Sequence, residues 1–88
     1  MKIKENFVLR NAADTWVVLP LGEATVDFNG MLTLNDSGVI LWRVLETGCD
    51  KKALIEALTN EYDVSDEIAS ADVDEFLQIL RKAGCIEE

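Results

Sequence analysis

Met31-Leu32-Thr33-Leu34-Asn35-Asp36-Ser37-Gly38-Val39-Ile40-Leu41-Trp42 is where the chain changes its period. The first four residues alternate, with Leu32 and Leu34 on one face of a strand and Met31 and Thr33 on the other. Asn35 is then a good helix N-cap, because its side-chain oxygen can accept from a backbone N–H of the first turn. Asp36 follows where the helix dipole favours a negative charge. Leu41, Val44 and Leu45 continue as an apolar stripe that ends before Gly48. Gly38 lies close to that stripe, where a missing Cβ allows close approach of the sheet. Strands are therefore expected before this junction and helices after it.

Upstream, Phe7-Val8-Leu9-Arg10 and Thr15-Trp16-Val17-Val18-Leu19 are β-branched and aromatic runs joined by the polar connection Asn11-Ala12-Ala13-Asp14, which predicts a first hairpin. Ala24-Thr25-Val26-Asp27-Phe28 alternates before Asn29-Gly30, a dipeptide suited to two turn positions of positive φ. Gly22-Glu23-Ala24-Thr25 reads equally as a loop or a short helical turn. Downstream, Asp50 caps a second helix in which Leu54, Ile55, Leu58 and Tyr62 recur at helical spacing. Asp63-Val64-Ser65 leads into a third helix, capped by Ser65 and stopped by Gly84, with Ala69, Val73, Phe76, Leu77, Leu80 and Ala83 on one face. The expected class is α+β. A small antiparallel N-terminal sheet, within about residues 7–34, precedes helices at about 36–47, 51–62 and 66–83, and the last two helices form a helix-turn-helix pair.

Eighty-eight residues and 9.8 kDa make one domain, spanning residues 1–88. Such a chain folds from about 14,200 Å² of accessible surface to about 5,200 Å², enough for one modest core without a deep cavity. A composition of 49% hydrophobic and 28% charged residues with a single proline is that of a folded globular chain. The net charge of −9 is concentrated in residues 45–88, which hold four basic and twelve acidic side chains. From Glu61 to Glu75 there are seven acids and no base. A helix-turn-helix that reads DNA needs basic side chains at phosphates and base edges, so neither nucleic acid nor an anionic membrane surface is expected as a partner.

With no histidine, His-based acid–base catalysis, His metal sites and Ser-His or Cys-His nucleophile pairs are excluded. Cys49 and Cys85 are too few for a four-cysteine zinc site and form no CxxC pair, so two idle thiols in a reducing cytosol are expected. Carboxylate pairs such as Asp72/Glu75 and Asp63/Glu67 lack the glycine-containing loop of an EF-hand and a desolvated pocket. No catalytic residue, metal ligand or cofactor is therefore expected. Lys2, Lys4 and Glu5 precede any long apolar run, so no signal peptide is expected, and no apolar stretch reaches a membrane span. These features predict a cytoplasmic protein.

Leu34-Asn35-Asp36-Ser37-Gly38 followed by Val39-Ile40-Leu41-Trp42 resembles the Leu-Asn-x-Ser/Thr-Gly and apolar helix of the PqqD family. The Tyr62-Asp63-Val64-Ser65 turn and the helix containing Ala71-Asp72-Val73-Asp74-Glu75-Phe76-Leu77 are similar in the same order, over essentially the whole chain. The resemblance implies a winged-helix-like RiPP recognition element, which binds the leader of a ribosomally made precursor peptide and presents it to a modifying enzyme, commonly a radical SAM enzyme. The leader would add as an antiparallel strand to the sheet edge, in the groove beside the third helix. The longer connection from Gly22 to Gly30 points to a relative serving a peptide other than the pyrroloquinoline quinone precursor.

By position the peptide-binding residues would be Met31, Leu32, Thr33 and Leu34 on the edge strand, with Asp72, Glu75, Phe76, Ile79 and Lys82 on the third helix. An aliphatic side chain flanked by carboxylates suits an amphipathic peptide with apolar anchors and some Lys or Arg. Without the family, Phe76, Leu77 and Leu80 read as core, Ile79 as rim or core, and Asp72, Asp74 and Glu75 as a solvated face. Val39 and Trp42 are further candidates for a partner-facing surface, although core packing against the sheet is the preferred reading of Trp42, and Trp16 reads as core. The rival function is a winged-helix transcriptional regulator or a protein–protein adaptor. An unpaired edge strand also allows a homodimer.

Overall fold

The computed structural model describes residues 1–22 and 32–88. Met31, the segment 24–28, the Asn29-Gly30 turn and most of the Gly22 to Gly30 connection lie outside the described residues. Among the described residues, five strands and three helices follow in order: β1 (Lys2–Ile3), β2 (Phe7–Ala12), β3 (Thr15–Pro20), β4 (Leu32–Leu34), α1 (Asp36–Glu46), α2 (Lys51–Glu61), α3 (Asp66–Ala83) and β5 (Ile86–Glu87). The α+β class and the three helices are as expected.

β2, β3 and β4 form an antiparallel sheet in that order, with Leu9 opposite Val18 and Val18 opposite Leu32. Directly opposed residues share a face, so Phe7, Leu9, Val18, Leu32 and Leu34 all point toward the helices. The first hairpin is tighter than the four-residue connection expected from Asn11 to Asp14. Asn11 pairs with Trp16 and Ala12 with Thr15, leaving Ala13 and Asp14 as a two-residue turn at φ 50 and 68. Both positions need positive φ, which suits the right-handed twist of the strands. Asp14 tolerates that conformation well. Ala13 carries a Cβ penalty with no local side-chain hydrogen bond to offset it.

Each helix begins on the expected cap. Asn35 Oδ1 accepts from Gly38 N–H at 2.9 Å, Asp50 Oδ1 from Ala53 N–H at 2.9 Å, and Ser65 Oγ from Ile68 N–H at 3.2 Å. α3 ends at Gly84, in the left-handed region at φ 73, where the Gly84 and Cys85 N–H groups return to the Arg81 and Leu80 carbonyls. The buried stripe of α1 is Gly38, Leu41, Trp42 and Leu45, which keeps the expected Leu41 and Leu45 and has Trp42 in place of Val44. Val44 is half-buried. Trp42 is 0% exposed at the centre of the core with Leu54, Leu58, Val73 and Leu80, which removes it from the partner-facing candidates. Val39 is half-buried against the same core. Trp16 is also half-buried, with its ring beneath the Arg43 guanidinium at 5.6 Å.

A second sheet, β1 with β5, pairs Lys2 with Glu87 and Ile3 with Ile86, and was not expected. It joins the two ends of the described chain. The Met1 amine donates to the Cys49 carbonyl and Cys49 N–H to the Met1 carbonyl, both at 2.9 Å, so β1 is also tied to the connection between α1 and α2. Both cysteines are free. Burial pushes the Cys85 thiol up from its ordinary 9.0 to about 11, and the charge of Lys4 offsets this only in part. Folding therefore favours the neutral thiol; its contribution to stability is complete below pH 9 and is lost as pH rises through about 11. In native protein at pH 8, Ellman's reagent is expected to modify Cys49 and to reach Cys85 only after denaturant is added. Equal labelling of both thiols in the native state would show that Cys85 is accessible.

Candidate functional site

A groove of about 490 Å³ runs between β4 and α3. Its first wall is Leu32, Thr33 and Leu34. β4 is hydrogen-bonded to β3 on one side, and among the described residues no strand pairs with its other side. The switch in period at Leu34-Asn35 creates this arrangement. The strand ends, Asn35 caps α1, and the chain turns beneath the groove.

The opposite wall is a stripe on α3, Asp72, Glu75, Phe76 and Ile79, whose spacing of three and four residues puts them on one helical face. Phe76 is buried, at 9% exposed, and serves both the core and the groove lining. Ile79 is 42% exposed and stands on the rim. Between the walls lie Gly38 and Leu41 from α1 and Leu58 from α2. Gly38 sets how closely the walls approach. A Cβ there would lie 3.3 Å from Phe76 Cε1, 3.3 Å from Leu34 Cβ and 3.2 Å from Asn35 Oδ1. The closeness expected between Gly38 and the sheet is thus contact with Leu34, together with the ring from α3.

Of the nine residues named from the sequence, Leu32, Thr33, Leu34, Asp72, Glu75, Phe76 and Ile79 line the groove. Lys82 is exposed but is not among the lining residues, and Met31 lies outside the described residues. Asn35, Ser37, Gly38, Leu41 and Leu58 also line it and were not anticipated as site residues. For Asn35 and Gly38 the sequence carried a signal, because a cap that ends an edge strand must stand at the mouth of whatever lies beside that edge. Leu41 and Leu58 read as core, and the sequence does not mark which core residues are uncovered at one side.

The groove carries charge of one sign. Asp72 and Glu75 are exposed, and among the described residues neither makes an ion pair. The neighbouring Asp74 is taken by Lys51 of α2 at 2.8 Å, while Arg81 holds Glu88 and Arg43 holds Glu46. Among the described residues, the surface thus offers unpaired backbone groups along one wall, apolar side chains below and two carboxylates without ion-pair partners on the other wall. Among the described residues no group of His, Cys, Asp or Glu is placed to hold a metal ion, and no helix is long and apolar enough to cross a membrane.

Comparison with known proteins bears on this surface. The family model described as coenzyme PQQ synthesis protein D (PqqD) matches residues 15–86. Two solved structures are similar over 99% of this chain. TbiB1 in complex with the TbiA(beta) leader peptide has 26% identity and a TM-score of 0.78 over 95% of its chain. Lasso peptide synthetase B1 complexed with the leader peptide has 20% identity and a TM-score of 0.76 over 96% of its chain. No curated protein matches the sequence.

Proposed function

The chain belongs to the PqqD family, and on that premise we propose that it is a non-catalytic module that captures the leader of a ribosomally synthesised precursor peptide. The single observation that carries this function is the open edge of β4 beside a groove walled by α3. An extended peptide laid antiparallel along Leu32, Thr33 and Leu34 gains backbone hydrogen bonds of about 0.5–1.5 kcal/mol net each, and its inward side chains meet Leu41, Phe76 and Ile79. Two similar structures, each holding a leader peptide, support the same assignment. The bound leader then delivers the rest of the precursor to a modifying enzyme, for which the family resemblance suggests the radical SAM class. A module that captures a ribosomally made precursor is expected to work in the cytoplasm. Without peptide, the open edge can pair with a second copy.

Asp72 and Glu75 add a preference for Lys or Arg in the leader. Reversing both charges, Asp72→Lys with Glu75→Lys, is expected to weaken a basic leader at least about tenfold, and added salt should weaken the wild-type complex in the same direction. Isothermal titration with the leader of the cognate precursor measures both. An affinity indifferent to charge reversal and to salt would remove the two carboxylates from the site. Random duplex DNA at low salt is expected to give no electrophoretic shift, which separates the peptide binder from a regulator.

A further inference from the structure

The change from strand to helix at the end of β4 turns on one side chain. Asn35 follows the last edge residue, Leu34, and its backbone is still extended, at φ −83 and ψ −178, before α1 begins at Asp36. Its carboxamide oxygen is held twice, by the Gly38 N–H at 2.9 Å and by the Ser37 hydroxyl at 3.0 Å. Gly38 also keeps that place open, because a Cβ on it would lie 3.2 Å from Oδ1. A backbone N–H can only donate, so the atom it meets is the oxygen and the other limb of the carboxamide is the NH2 group. Among the described residues that NH2 group donates to nothing, although Asn35 lines the groove. The groove opens here into a neighbouring depression, and the two share Asn35, Ser37, Leu58 and Asp72. Of these four side chains only Asn35 has a donor left. Leu58 is apolar, the Asp72 carboxylate accepts, and the one Ser37 proton is committed to Oδ1.

We propose that Asn35 is a leader-binding residue whose NH2 group donates to a backbone carbonyl of the leader just N-terminal to its strand-paired segment. Given the strand addition at β4 on which this rests, direction follows from the pairing. A strand antiparallel to β4 runs from Leu34 toward Leu32, so the residues that precede its paired segment pass Asn35. There the β4 ladder has ended, and a peptide carbonyl drawn out of water needs a donor. The Asn35 NH2 group extends the row of donors by one side chain. The contact adds affinity without reading the leader's sequence, since every residue carries the same carbonyl. Ser37 is a positioning residue: by holding Oδ1 it fixes the rotation of the carboxamide and hence the direction of the NH2 group. A helix cap needs only an oxygen, which Asp50 and Ser65 supply for α2 and α3, so capping and peptide binding can be separated at Asn35.

Asn35→Ser and Asn35→Asp both keep a capping oxygen and both lack the NH2 group. A displayed library of random peptides about 20 residues long, selected on the wild-type protein, supplies the probes. Synthetic peptides from the selection are retained if their binding falls with Thr33→Pro, which identifies those that use the β4 edge. On these peptides Asn35→Ser, and Asn35→Asp measured at high salt, are each expected to lower affinity about threefold to tenfold while the melting temperature stays near that of wild type. Ser37→Ala is expected to weaken binding by the wild-type protein and to have no further effect on Asn35→Ser, because both remove the same contact. Peptides trimmed of the residues N-terminal to the paired segment should bind wild type and Asn35→Ser equally. In 15N-labelled protein the Asn35 side-chain NH2 resonances, assigned by their loss in Asn35→Ser, are expected to move downfield at saturation. Edge-dependent peptides that bind both Asn35 variants as tightly as wild type would overturn the assignment and leave strand addition intact, as would NH2 resonances that do not move. That is the outcome if backbone N–H groups in the first turn of α1 take the carbonyl instead. Selected peptides wholly insensitive to Thr33→Pro would overturn both.

Discussion

Replacing Thr33 with proline is expected to weaken leader binding by about thirtyfold, the equivalent of roughly 2 kcal/mol, while leaving the helices formed. Thr33 is the middle residue of the three-residue edge and lies opposite Val17 of β3. If its N–H faces outward, proline deletes a donor to the incoming strand. If it faces β3, proline opens the β3–β4 ladder and displaces the edge itself. In both cases the peptide loses its backbone template, whereas the core residues of the helices are untouched. Thr33 is exposed, so little packing is lost. Titration of the folded variant with the precursor's leader reads the loss, and unchanged helical circular dichroism shows that it is local. Unchanged affinity would mean that the peptide does not use this edge.

Trp42→Ala is expected to remove about 4 kcal/mol of stability and lower the melting temperature by roughly 15–30 °C, a large share of what holds a domain of this size together. The side chain is 0% exposed within the buried cluster that also holds Leu45, Leu54, Leu58 and Leu80, so truncation leaves a cavity in the core. Among the described residues its buried indole N–H has no hydrogen-bond partner, which already costs on the order of 1–3 kcal/mol. Trp42→Phe is accordingly expected to cost much less than alanine, because it keeps an aromatic ring and removes the orphaned donor. A thermal melt of both variants tests this. A Trp42→Ala protein that melts near the wild-type temperature would return Trp42 to the surface.

These two residues also show how far the sequence could be read. Thr33 was legible because strand alternation and a helix cap on the next residue but one are local properties, and a strand that ends in a cap has few neighbours available to cover it. Asp72, Glu75, Phe76 and Ile79 were legible as one face of α3 because helical spacing places them there whatever the tertiary fold. Trp42 was ambiguous because three apolar residues, Val39, Ile40 and Leu41, precede it, and a run of that kind does not say which side faces the core. Packing in the folded core, against α2 as well as β1 and β4, buries Gly38, Leu41, Trp42 and Leu45. The β1–β5 ribbon was not legible at all. Two-residue strands have no period, and the partners Ile3 and Ile86 are separated by almost the whole chain.

The central claim is that a leader peptide becomes the next strand of the sheet. Amide hydrogen exchange of Leu32, Thr33 and Leu34, followed residue by residue with and without a saturating concentration of the precursor's leader, tests it most directly. The edge amides that face away from β3 are predicted to exchange at least about tenfold more slowly in the complex, because each acquires a carbonyl partner. A leader that binds while those amides exchange at their peptide-free rate would contradict strand addition at β4.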